Sequence, residues 1–164
     1  FAPVSLLTDV KNAIDLIENE HSSISTEAKQ IANKLLNKIP VIYSLGTCEG
    51  VSVRFRQQIN ENSKMLCWHH VFPEMNHNEL VGWTTKNENI SVVTFRTSFD
   101  YKRTVKRFEV CKTVFEKYSA GVTDIYAKGK SKTEQFIYLI NIGDWIQHFS
   151  YGVFDGKEME LKKF

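Results

Sequence analysis

The stretch FPEMNHNELVGW, Phe72 to Trp83, gathers Glu74, His77 and Glu79 with Asn76 and Asn78 between two aromatic anchors. A carboxylate, an imidazole and amides converging in one place can form a proton-transfer site. The same residues also make a plain polar loop, in which His77 and the asparagines satisfy backbone groups while Phe72 and Trp83 tuck into a core. Residue types alone leave the two readings level.

Three other stretches carry chemistry-bearing groups. GTCEG, Gly46 to Gly50, reads as a link between a buried strand and a helix, where free N–H groups can cradle a phosphate. It lacks the GK[ST] of a nucleotide loop and the dinucleotide spacing, and Glu49 would repel an anion. A tight turn and a ligand-facing loop both stay open there. QQINENSK, Gln57 to Lys64, reads as a polar helix C-terminus, where asparagines such as Asn60 and Asn62 are common. A carboxylate at that junction would sit at the opposite edge from the usual ligand crevice. Cys67, His69, His70, Glu74 and His77 have a metal-binding composition, but adjacent strand residues point to opposite faces. Paired HxxxH or CxxC spacings are absent, so no metal is expected.

The elements that must position these groups follow from apolar periodicity. Val4, Leu7, Val10, Ile14 and Ile17 share a helical face. A polar turn is predicted at ENEHSSIST, with Ser25 capping a second helix whose Ala28, Ile31, Ala32, Leu35 and Leu36 point inward. IPVIYSL, Ile39 to Leu45, is a continuous apolar run that suits a strand buried on both faces. Strand and helix then alternate: a helix over 51–59, a strand over 64–72, a strand in NISVVTFR, a helix over 100–118, a strand in GVTDIYAKG and a helix over 131–151. This pattern predicts an α/β fold, a parallel sheet of four to five strands between helices. Ligands in such sheets bind beyond the carboxyl ends of the strands, which gives weight to the loops GTCEG, PEMNHNE, TSFDYKR and KGKSKTE.

The 164 residues, 42% hydrophobic, suffice for one domain with its own core. With 21 basic and 19 acidic residues and no basic run, nucleic acid is not an expected partner. No apolar stretch reaches membrane-span length. Cys48, Cys67 and Cys111 are odd in number and widely spaced, which reads as reduced thiols of a cytoplasmic protein. The first residue is Phe1, so an upstream portion is expected to be absent.

PVIYSL, then RFRQQINENSKM, then FPEMNHNELVGW, in close order, resemble the second half of the bifunctional phosphoglucose/phosphomannose isomerase family. FRTSFDYKRTVKRFEV and YAKGKSKTEQFIYLINIGDW are similar to its later segments, so the resemblance covers nearly the whole chain. It implies a sugar isomerase fold over 39–164, with 1–38 a helical lead-in from a missing upstream domain. It also implies aldose–ketose isomerisation of hexose 6-phosphates, no cofactor, and a homodimer with shared active sites. Glu61 matches the family's catalytic carboxylate. His77 matches the histidine that helps open the sugar ring from the neighbouring subunit. Thr47, Asn76 and Asn78 are the candidate substrate contacts. The family's Ser/Thr-rich phosphate loop and interdomain arginine would lie upstream of Phe1. Its C-terminal lysine falls in DGKEMELKKF, which offers Lys157, Lys162 and Lys163 without selecting among them. A non-catalytic sugar-phosphate-binding or regulatory domain on the same fold is the alternative.

Overall fold

In the computed structural model the described residues are 4–148, 150–154 and 159–163. Two helices, α1 (Val4–Asn19) and α2 (His21–Leu35), lead into β1 (Ile39–Leu45), α3 (Glu49–Asn62), β2 (Trp68–Phe72), the short α4 (Glu74–Asn78) and β3 (Ile90–Arg96). Then come α5 (Lys102–Tyr118), β4 (Gly121–Tyr126), α6 (Lys132–His148), β5 (Ser150–Phe154) and β6 (Met159–Lys163). The four strands β1–β4 form one parallel sheet in the order β2-β1-β3-β4, as the α/β expectation required. The last two strands pair separately and antiparallel.

β1 is the centre of the fold. Its apolar run is matched on one side by β2, Val41 opposite Trp68, and on the other by β3, Ile39 opposite Ile90. Alternate residues supply two cores. Ile42, Val93, Phe95 and Ile125 face α2, α3 and α6, meeting Ile24, Phe55, Ile59, Leu139 and Ile142. Val41, Tyr43, Phe72 and Val92 face the other way, toward Met75 of α4 and Phe108, Cys111 and Phe115 of α5. On the first side α3 and α6 approach closely at Gly143. A Cβ there would lie 2.5 Å from Gln58 Oε1 and 2.8 Å from Phe55 Cδ2.

Several boundaries differ from the sequence reading, each for a physical reason. ENEHSSIST is not a turn, and Ser25 does not cap. α2 begins at His21, because the buried stripe Ile24, Ala28, Ile31, Leu35 starts upstream of Ser25 and overrides the weak helix propensity of the serines. In α1 the apolar residues run round more than one face. Ala13 is buried, while Leu7 and Ile14 stay exposed. α3 extends beyond 51–59 at both ends. β2 starts at Trp68 rather than Lys64, because Lys64 is left-handed (φ 55) and Leu66 is 73% exposed. α6 ends at His148, short of Tyr151, and Tyr151 belongs to β5.

Candidate active site

The strand order reverses between β1 and β3, so their carboxyl ends frame the crevice where ligands of such sheets sit. GTCEG opens as a single 3₁₀ turn, Gly46–Cys48, closed by Glu49 N–H donating to Gly46 C=O. It is a tight turn whose Thr47 is nonetheless exposed. Across from it, Thr97 Oγ1 donates to Asp100 Oδ1 at 2.6 Å and Thr97 N–H to Asp100 Oδ2 at 3.1 Å, which shapes the loop after β3. Buried Gln135 fixes this rim. It donates to Ser98 Oγ (2.7 Å) and Gly129 C=O (2.8 Å) and accepts from Ser98 N–H (3.0 Å). Gly129 is left-handed at φ +124, and a Cβ there would meet Glu134 Cβ at 2.5 Å.

His77 and Glu61 lie at opposite ends of the sheet. α3 starts beyond the carboxyl end of β1 and carries Glu61 in its last turn. Its 14 residues rise about 1.5 Å each, roughly 20 Å in all. His77 stands on α4, just past the carboxyl end of β2. Both residues are exposed, and one copy of the chain does not bring them together. The end of α3 is well built. Ser63 N–H bonds Ile59 C=O, Lys64 takes the left-handed position usual for glycine, and its Nζ donates to Glu61 C=O at 2.5 Å. Asn78 is exposed beside His77, whereas Asn76 turns into the α4–α5 contact. Its Nδ2 donates to Cys111 Sγ at 2.9 Å, and its Oδ1 is buried without a hydrogen-bond partner. Lys157 lies outside the described residues; for Lys162 and Lys163 only the β6 backbone is described.

A network not anticipated from the sequence holds the FPEMNHNELVGW segment to the sheet. Glu79 Oε1 accepts from Tyr43 Oη at 2.5 Å, and Oε2 lies 2.7 Å from His70 Nδ1. Trp83 Nε1 donates to the same Tyr43 oxygen at 3.2 Å. Tyr43 is fully buried. Burial first, then the Glu79 hydrogen bond and charge, raise its phenol far above the ordinary range. The available signal was that His70 and Phe72 share one face of β2. Nothing local linked them to Tyr43. His69 points the opposite way, 4.0 Å from Glu49. Burial, then the Arg56 charge, lower its pKa, against the opposing pull of Glu49. Among the described residues no cluster of three or more His, Cys, Asp or Glu side chains is placed to hold a metal. Nor is any helix among them long and apolar enough to cross a membrane. The three cysteines are free and buried. Burial pushes Cys67 up to about 12 and, with Asp100 nearby, Cys48 up to about 11, so neither is a ready nucleophile.

A four-stranded parallel sheet flanked by helices is the architecture of sugar isomerase domains. Residues 24–149 match the family described as the bacterial phospho-glucose isomerase C-terminal SIS domain, and the chain belongs to that family. Among curated proteins it is 33% identical over 161 residues to the bifunctional phosphoglucose/phosphomannose isomerase of Caldicellulosiruptor bescii, covering 94% of this chain and 48% of the relative. The protein of the same name from Aquifex aeolicus is 28% identical over 144 residues, 86% of this chain and 45% of that one. The chain thus spans about half the length of the curated relatives it matches. Among solved structures, the C-terminal domain of glucosamine-fructose-6-phosphate aminotransferase from Francisella tularensis superposes with a TM-score of 0.60 at 11% identity, covering 87% of this chain and 41% of that one. A glucose-6-phosphate isomerase like protein from Thermus thermophilus does so with a TM-score of 0.55 at 21% identity, covering 73% and 40%. At such identities these two likenesses concern the fold alone.

Proposed function

We infer that this chain is the catalytic second domain of a cytoplasmic phosphosugar isomerase. It interconverts glucose 6-phosphate or mannose 6-phosphate with fructose 6-phosphate through a cis-enediol. The observation that carries the reading is the separation of Glu61 from His77, two residues whose surrounding segments resemble the family's motifs. A pair at opposite ends of one domain becomes a site when a two-fold partner supplies the missing half, and closed C₂ dimers are the commonest assemblies. In this reading Glu61 takes the proton from C2 and returns it to C1. The partner subunit contributes the His77 imidazole, which moves the proton at the ring oxygen as the sugar opens. Glu61 is exposed in the isolated chain. The upstream domain and the partner would then enclose it in the assembled enzyme. Substrate phosphate would be held by the upstream domain, with the exposed Thr47 and Asn78 as candidate contacts to the rest of the ligand; Asn76, turned toward Cys111, would act by holding α4 in place.

The test uses the full-length protein that carries this chain. Glu61→Gln keeps shape but removes the base, and should lower kcat by roughly 10²–10⁴-fold, the usual worth of a positioned acid–base group, with little change in KM. Deuterium exchange at C2 of the substrate should fall in parallel. Mixing Glu61→Gln chains with His77→Ala chains should restore about a quarter of wild-type activity, because half of a random mixture is heterodimer and each heterodimer carries one complete site of two. Undiminished C2 exchange in Glu61→Gln would leave Glu61 a helix-end residue and favour the non-catalytic sugar-phosphate-binding reading. Failure of the mixture to regain activity would remove the shared site.

A further inference from the structure

On the α4–α5 side, near the amino end of the sheet, a cavity of about 240 Å³ is lined by Trp68, Trp83, Glu79, Thr85 and Asn87 over a floor of Val41. It is smaller than the roughly 300–1,000 Å³ of drug-sized ligand sites, which suits a single ring. Glu79, Trp83 and Asn87 are held before any ligand arrives. Both Glu79 oxygens are held, by Tyr43 Oη at 2.5 Å and His70 Nδ1 at 2.7 Å. Trp83 is tied through Nε1 to Tyr43 and stands edge-on to Phe115, ring centroids 5.5 Å apart. Asn87 accepts Asn89 N–H on its side-chain oxygen at 2.9 Å, which leaves the amide NH₂ to donate. Trp68, the first residue of edge strand β2, is 40% exposed although it is a large aromatic.

We propose that this cavity is a binding site for an unphosphorylated pyranose sugar, distinct from Glu61 and His77. An indole face offers a flat apolar surface to the C–H face of a pyranose ring, and its amphipathic rim tolerates water. A carboxylate has about four acceptor positions, and Glu79 uses two, so lone pairs remain for ligand hydroxyls. Thr85 and Asn87 add a hydroxyl and an amide donor. Among the described residues no Lys, Arg or His lines the cavity, so a ligand phosphate finds no charge-assisted partner among them. The donors from Tyr43 and His70 already meet the Glu79 carboxylate, which turns the site toward hydroxyls rather than toward a free ammonium group. The site uses neither proposed catalytic residue and does not depend on the isomerase reading.

The experiment follows the indole N–H resonances of Trp68, Trp83 and Trp145 in the full-length protein during titration with D-mannose and D-glucose. The Trp68 and Trp83 signals should shift saturably with a Kd on the order of millimolar. Trp145, which packs against His21 on the other side of the sheet, should not move. Trp68→Ala should weaken binding at least about tenfold while thermal melting stays close to wild type, and Glu79→Gln should do the same to binding. Glu61→Gln should leave the titration unchanged, and isomerase activity plays no part in the readout. The proposal is overturned by the absence of a saturable shift, by a sugar response that survives Trp68→Ala, or by tetramethylammonium binding at these indoles as tightly as the sugars. Glucose 6-phosphate binding there more tightly than glucose would overturn it as well.

Discussion

The two faces of the sheet are covered in different ways. On one, α2, α3 and α6 lay long apolar stripes against Ile42, Val93, Phe95 and Ile125, and Phe55 meets Phe95 edge to face at 5.0 Å. On the other, α5 is the only long helix among the described residues, and the path from β2 to β3 is covered by the short α4 and a 3₁₀ turn at Leu80–Gly82. There the packing of Phe72, Phe108 and Phe115 is supplemented by the hydrogen bonds that join Tyr43, His70, Glu79 and Trp83. The first face rests mainly on apolar area, which is non-directional and tolerant, with Tyr138 Oη donating to Glu27 and Gln58 Nε2 to Asp144 as long-range polar links between its helices. The second relies on a few directional contacts between residues far apart in sequence. His77, Asn76 and the proposed sugar cavity all belong to the second face. Irregular segments pinned by a few polar contacts are where a scaffold can present chemistry without giving up its core.

The largest effect should come from breaking the helical face. Phe55 is fully buried, and Phe55→Ala should cost roughly 3–5 kcal/mol. Urea unfolding should show the loss as one cooperative transition, with hydrogen-exchange protection falling across α2, α3 and α6 together. A loss confined to α3 would mean that this face is not one unit.

A smaller and local effect should follow on the other face. Tyr43→Phe removes one hydroxyl that serves both Glu79 and Trp83, and should cost about 1–3 kcal/mol. Hydrogen exchange should quicken over 74–83 and change little in α6. Combined with Glu79→Gln the losses should not add, and a coupling of at least about 0.5 kcal/mol in a double-mutant cycle would show the network acting together. Additive losses would reduce the network to independent surface bonds.

The smallest effect should lie in pH dependence at His69, which faces Glu49 and Arg56 of α3, with His70 next in sequence. Its pKa is lower in the folded chain, so the unfolded chain takes up the proton first. Stability from this group is therefore full above the ordinary histidine pKa of about 6.5 and declines as the pH falls below it. His69→Gln should flatten the acid side of a melting-temperature profile between neutral and mildly acidic pH. An unchanged slope would show that His69 does not contribute.

Much of the architecture was legible because it repeats locally. The β1 run Ile39–Leu45 and the apolar faces of α2 and α5 are short-period patterns that specify their own burial, and a parallel sheet follows from their alternation. The motifs around Glu61 and His77 were equally visible, since each is contiguous. Boundaries were less so. Ile24 drew helix through a serine-rich stretch, and left-handed Lys64 kept the residues before Trp68 out of β2, since burial and backbone geometry depend on what packs nearby. The network is the clearest case of what only the tertiary structure decided. Tyr43, His70, Glu79 and Trp83 sit on a strand, its neighbour and a loop, and the two partners of the shortest bond are 36 positions apart in sequence. No local period encodes such a meeting. It arises because parallel pairing sets Tyr43 opposite His70, and the crossover to β3 then passes over the same face. The amino-acid sequence chose the groups, while sheet register and the path of one connection chose which of them touch.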